Sequence, residues 1–137
     1  MKVSEKVKGY LGEKSKWIVL ATTDKAGKTN VAFFGSLELA GDDSMIVMLG
    51  DNRSYSNLKQ NPNAACLVIL NNGKSGVATE GCRLYLKMRS MEDEGKNLEE
   101  CRAKLKARIG ASADRLKHYI CFDIIETRPI LDFGQGI

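Results

Sequence analysis

The stretch Leu49-Gly-Asp-Asn-Arg-Ser-Tyr-Ser-Asn-Leu-Lys-Gln-Asn-Pro62 concentrates the residue types that could bind an anion. An apolar run, Ser44 to Leu49, leaves through Gly50 into a polar turn. A short helix is expected to start near Arg53 or Ser54 and to stop before Pro62, because the residue ahead of a proline avoids the helical region. Such a turn presents free backbone N–H groups and the positive end of the helix dipole. Arg53 adds a planar charged fork suited to phosphate, and Ser54 and Ser56 add hydroxyls. The same residues also describe an ordinary capped surface helix, with Asn52 or Ser54 as its N-cap.

Little else in the chain could do chemistry. His118 is the only histidine and stands at the entrance to an expected strand, a weak candidate for proton transfer. No Ser-His-Asp or Cys-His arrangement can be built beyond that one imidazole. Cys66, Cys82, Cys101 and Cys121 are spaced 16, 19 and 20 residues apart, without a C-x-x-C pair or zinc-finger spacing. Each has apolar neighbours, so they read as small, reduced, buried hydrophobes.

The elements that must position the anion turn are mostly strands. Apolar runs at Trp17–Thr23 and Asn30–Phe34 flank a turn containing Gly27, and Ser36–Ala40 and Ser44–Leu49 flank Gly41-Asp42-Asp43, a strong hairpin signal. Ala64–Leu70 is a continuous apolar run that suits a strand buried on both faces. From Cys82 to Met88 the alternation is clean, with Cys82, Leu84, Leu86 and Met88 on one face and Arg83, Tyr85, Lys87 and Arg89 on the other. Tyr119–Glu126 is the last expected strand, and Arg128-Pro129 should disturb the residues after it. Helical periodicity marks residues 3 to 12, ending near Gly12, and about 93 to 109, ending at Gly110. In the second helix Glu92, Asp93 and Glu94 are expected in the first turn, with Glu100–Lys104 and Glu99–Arg102 pairs on its solvent face.

The chain has 137 residues, 43% hydrophobic and 28% charged, which fits one domain over 1–137 and excludes disorder. Its net charge of +4 is too weak for nucleic-acid binding yet suits a small anionic ligand. Basic residues are interleaved with acids, and no aromatic-basic strand motif of the RNA-binding kind occurs. The longest apolar run is too short to cross a membrane, and the first residues lack the apolar core of a signal peptide, so a soluble cytoplasmic protein is expected. Six or seven strands with short turns and few helices favour a small closed antiparallel barrel, mainly β with flanking helices, over a doubly wound parallel sheet.

The order of these pieces is informative. A first helix, Ile18-Val-Leu-Ala-Thr-Thr23, the Gly27 turn, Asn30-Val-Ala-Phe-Phe-Gly-Ser-Leu37 and a hairpin precede Arg53-Ser54-x-x-Asn57-Leu58-x-x-Asn61-Pro62 and a buried strand. This resembles the pyridoxamine-phosphate oxidase-like family of FMN-binding split barrels, its small single-domain members most of all, over residues 3 to 90. The resemblance implies an FMN-binding homodimer, a small oxidoreductase or electron-transfer protein working with a small-molecule electron donor or acceptor. It implies that Arg53 and Ser54 hold the FMN phosphate, that Asn57 braces the turn, and that Phe33, Phe34, Gly35 and Ser36 run along the flavin ring. Met48, Leu49 and Gly50 lie at the matching end of the neighbouring strand, and Lys87 and Arg89 fall on a strand near the dimer interface and its flavin. Phe33 and Phe34 must face opposite sides of their strand, one in the core and one lining the site, while Trp17 and Tyr85 are expected to serve in packing. The C-terminal basic and histidine pattern of the vitamin-oxidising members is missing from Arg128 to Ile137, which argues against pyridoxamine-phosphate oxidation. A deazaflavin or haem in place of FMN, or a split barrel without flavin acting as a non-catalytic ligand- or partner-binding module, stays open.

Overall fold

The computed structural model covers residues 1–137. Helix α1 (Glu5–Gly12) leads into β1 (Lys16–Thr23), β2 (Thr29–Phe34), β3 (Leu37–Ala40) and β4 (Ser44–Leu49). Helix α2 (Arg53–Gln60), β5 (Asn63–Leu70), β6 (Gly81–Glu92), α3 (Lys96–Ile109) and β7 (His118–Pro129) complete the chain, with short 3-10 turns at 76–78 and 110–115. The seven strands form one antiparallel sheet in the order β2-β1-β5-β6-β7-β4-β3. It curls into a half-barrel with three flanking helices.

The expected closure into a barrel is incomplete. β2 and β3 are the two edges of the sheet, and only Gly35 and Ser36 connect them. Those two residues carry the chain from one edge to the other instead of turning it back as a hairpin, so no ladder forms between them. Ser36, expected within a strand, belongs to this link.

Alternation decides what fills the interior. Ile18, Leu20, Val47, Leu49, Cys66, Val68, Cys82, Leu84, Leu86, Ile120, Phe122 and Ile124 point inward, and Val3, Val7 and Leu11 of the α1 region pack against them. Ser4 caps α1 by accepting from Val7 N–H at 3.3 Å. Met48 points the other way, to the outside of β4, where Leu98, Leu105 and Ala113 cover it. β4 is thereby buried on both faces.

Several boundaries differ from the sequence reading. β6 runs on to Glu92 because irregularities between Tyr85 and Leu86 and between Met88 and Ser90 break the alternation without ending the strand. α3 starts at Lys96, with Gly95 as N-cap, so Glu92, Asp93 and Glu94 precede the helix. Within α3, Glu99 meets Arg102 at 3.3 Å, but Glu100 pairs with Lys96 at 3.7 Å and not with Lys104. β7 extends to Pro129, which ends it. Trp17, expected to pack, stands on the outer face of β1 and is 46% exposed.

Candidate functional site

Gly50 is required by its surroundings. A Cβ on it would lie 2.8 Å from the carbonyl oxygen of Arg115, and the neighbouring Leu49 carbonyl accepts from Lys117 N–H at 2.9 Å. The segment entering β7 thus presses directly on the end of β4. From there the chain turns into α2, whose N-cap is Asn52, its side chain accepting from Tyr55 N–H at 2.8 Å. That bond satisfies one of the orphan N–H groups of the helix and leaves those of Arg53 and Ser54 at the open end. Arg53 is exposed, and its side chain makes no ion pair within the chain. Ser54 is only 1% exposed, so an anion at this turn would meet chiefly Arg53 and the α2 backbone. Asn57 is buried and donates through Nδ2 to Thr22 Oγ1 at 3.1 Å, tying α2 to the end of β1.

A second group, not assigned from the sequence, fixes the same turn. The His118 ring is buried, with Nε2 2.7 Å from Asp51 Oδ1 and Nδ1 2.6 Å from Asp93 Oδ1. It stacks on Tyr55, with centroids 3.5 Å apart and planes within 3°. Lys59 Nζ lies 5.0 Å from the Tyr55 centroid. Three separate segments therefore meet at one imidazole: the β4–α2 turn, the β6–α3 turn and the start of β7. Asp93, read from the sequence as a helix-dipole residue, is spent on this ring. No local pattern could have revealed the cluster, because Asp51 and Asp93 lie 67 and 25 residues from His118.

Beside the turn is a hollow of about 190 Å³ lined by Phe33, Phe34, Gly35, Ser36, Met48, Gly50 and Asn52, with Leu105, Arg108, Ile109 and Leu116 on the α3 side. The structure thus brings Phe33, Phe34, Gly35, Ser36, Met48 and Gly50 of the candidate site residues to one hollow, while Arg53 and Ser54 are not among its lining. Phe34 packs against the core, whereas Phe33 is 67% exposed on the outer face. On the far side of Gly35 and Ser36 lies a larger hollow, about 620 Å³, bordered by Lys8, Lys14, Lys16 and Arg108 with Glu13 and Glu38. A Cβ on Gly35 would meet no atom of the chain within 4 Å, so the fold itself does not demand glycine there.

Other candidates stand apart. Leu49 is buried in the barrel interior. Lys87 is exposed opposite Asn63, where α2 hands over to β5. Arg89 binds Asp123 through a tight ion pair and donates to Ser44 Oγ at 2.9 Å, which places its guanidinium at the Ser44 end of β4 and not at Gly50. The Asp123 carboxylate pushes the Arg89 guanidinium pKa up. All four cysteines are free. Burial raises the Cys66 thiol pKa and pushes Cys82 up to about 12, which makes both inert nucleophiles. No helix is long and apolar enough to cross a membrane.

No protein-family model and no curated protein matches the chain. Solved structures do. An FMN-binding protein from Syntrophomonas wolfei is 26% identical, with a TM-score of 0.78 over 93% of this chain and 85% of that one. A haem storage protein from Vibrio cholerae is 19% identical, with a TM-score of 0.67 over 99% and 98% of the two chains. A pyridoxamine 5′-phosphate oxidase-like protein from Lactobacillus delbrueckii is 16% identical, with a TM-score of 0.65 over 92% and 93%.

Proposed function

We propose that this chain, which has the fold of the pyridoxamine-phosphate oxidase-like split barrels, is an FMN-binding flavoprotein that works as a homodimeric oxidoreductase or electron-transfer protein. One observation carries the reading. Gly50 and Asn52, which open the anion-ready turn, and the Gly35–Ser36 link border the same hollow, so a flat ligand seated there would have the start of α2 next along the chain for a phosphate. The residues fit the group. Arg53 and the N–H groups of Arg53 and Ser54 would hold the phosphate, and Gly35, with open space where a Cβ would stand, would admit the ring edge against the backbone.

FMN, when bound, supplies the hydride or electron transfer itself. The chain's part is binding and orientation. Phe34, Met48 and Leu105 give the hollow an apolar wall, and Arg108 stands at its rim. The basic hollow on the other side of Gly35 suits an anionic electron donor or acceptor.

Dimerisation rests on the outer face of the sheet. Phe33 pairs across to Val19, which pairs to Leu67, while Val31 opposes Ala21 and Trp17 opposes Ile69. Val31 and Phe33 are 68% and 67% exposed, so this face carries apolar side chains that a partner would cover. Arg83 and Tyr85 continue it on β6, their stems half-buried.

A split barrel without flavin, binding another ligand or partner, is the second reading; the same fold occurs in a haem storage protein. Both ring nitrogens of His118, the sole imidazole of this chain, are engaged, so a haem iron would have to take another side chain as its ligand. The absorption spectrum of the purified protein separates the readings, with flavin bands released on denaturation expected. Titration with FMN and riboflavin then localises the phosphate. Arg53→Ala removes charge-assisted bonds worth about 1.5–3 kcal/mol, so FMN affinity should fall about tenfold to a few hundredfold while riboflavin, which has no phosphate, hardly changes. A colourless protein that takes up neither ligand would leave the second reading.

A further inference from the structure

We propose that His118 is the residue that lets the turn accept an anion, by neutralising the carboxylate of Asp51; the inference rests on reading Gly50–Ser54 as the phosphate turn. Asp51 stands two residues ahead of Arg53 and directly before the N-cap of α2. A free carboxylate there would oppose a phosphate at the same helix end. Two like charges several ångströms apart at a protein surface cost about tenfold or more in affinity. Asp51 is not free, because its Oδ1 lies 2.7 Å from His118 Nε2.

The surroundings of the ring support a charge role. Carboxylates only accept hydrogen bonds, so Asp51 and Asp93 are satisfied together when the imidazole donates from both nitrogens. Asp93 holds Nδ1 and so directs Nε2 at Asp51. Backbone pairing of His118 with Leu49 and stacking on Tyr55 hold the ring in this position. Asp51, Asp93 and Tyr55 are the titratable groups touching the ring, with Lys59 beyond Tyr55.

The test is a rescue. FMN and riboflavin affinities are measured under one set of conditions for wild type, His118→Asn, Asp51→Asn and the double variant. His118→Asn is expected to weaken FMN about tenfold and riboflavin less than twofold. Adding Asp51→Asn should restore FMN binding to within about threefold of wild type, and Asp51→Asn alone should bind FMN at least as well as wild type. Asp93→Asn, which keeps the Asp51–His118 contact, should hold FMN affinity within about threefold and remains readable if His118→Asn does not fold. A double variant no better than His118→Asn, or an Asp93→Asn loss as large as that of His118→Asn, would overturn the charge role and make the cluster a structural pin. A wild type that binds riboflavin as tightly as FMN would overturn the phosphate reading itself, and the charge role with it.

Discussion

The two ends of the candidate site are built in opposite ways. At the turn, Gly50 is wedged under the Arg115 carbonyl, Asn52 caps α2, Asn57 reaches Thr22, and Asp51 and Tyr55 are both held by His118. At the Gly35–Ser36 link the chain crosses between two sheet edges with no ladder partner and with open space around the glycine. The difference assigns their tasks. A rigid, donor-rich end loses little entropy on gripping a small anion, while an open, apolar end gives room for a planar group and for a second subunit. On the proposed reading, the first end would set affinity and the second reactivity.

The largest expected effect comes from breaking the open side. Phe33→Asp places a carboxylate in the proposed dimer face and should raise the dimer dissociation constant about a thousandfold, through a desolvation cost of several kcal/mol. Light scattering across a concentration series reads this directly. A wild-type monomer at micromolar concentration that still binds flavin would remove the dimer from the proposal.

Next is the wedge on the rigid side. Gly50→Ala forces a methyl group against the Arg115 carbonyl and should destabilise the fold by about 1–3 kcal/mol, measured by urea denaturation. Gly35→Ala sharpens the contrast, since its added methyl meets nothing in the chain. Its folding stability should stay within about 0.5 kcal/mol of wild type or rise, with any loss confined to flavin affinity. Equal thermal stability of the two alanine variants would erase the distinction between a rigid end and an open one.

The smallest effect is a control remote from both ends. Arg128 and the Gly134 N–H hold the Asp132 carboxyl well below the usual carboxylate range. A carboxyl depressed on folding adds stability that is present above its ordinary value and fades as pH falls towards the folded one. Asp132→Asn should therefore melt slightly earlier than wild type at neutral pH and converge with it in acid. Its flavin affinity should not move.

Where the sequence is legible, it is because the signal is local. Pro62 and Asn52 bracket α2, Gly41 with its φ of +69° turns β3 into β4, and the Cys82–Met88 alternation sorts core from surface. The interrupted part of β6 is harder to read, because an irregularity around Arg89 mimics the end of a strand. The link at Gly35–Ser36 reads as strand until it is known that β2 and β3 are opposite edges. The His118 cluster is invisible for a different reason: its partners come from elements brought together only by the finished sheet, and each partner has an ordinary local explanation.

The pairing of β4 with β7, Ser44 to Leu49 against Asp123 to His118, also sets an order in time. During synthesis β3 and β4 can form their hairpin early, but the other edge of β4 must wait while more than sixty residues are added. Until β7 arrives, Met45, Val47 and Leu49 have no completed interior to enter, and six residues of backbone remain an unpaired strand edge. The last strand to be made is thus the one that both joins the two parts of the sheet and delivers His118 to its carboxylates. Chains stalled or cut before His118 should be the form of this protein most prone to aggregate and to require a chaperone.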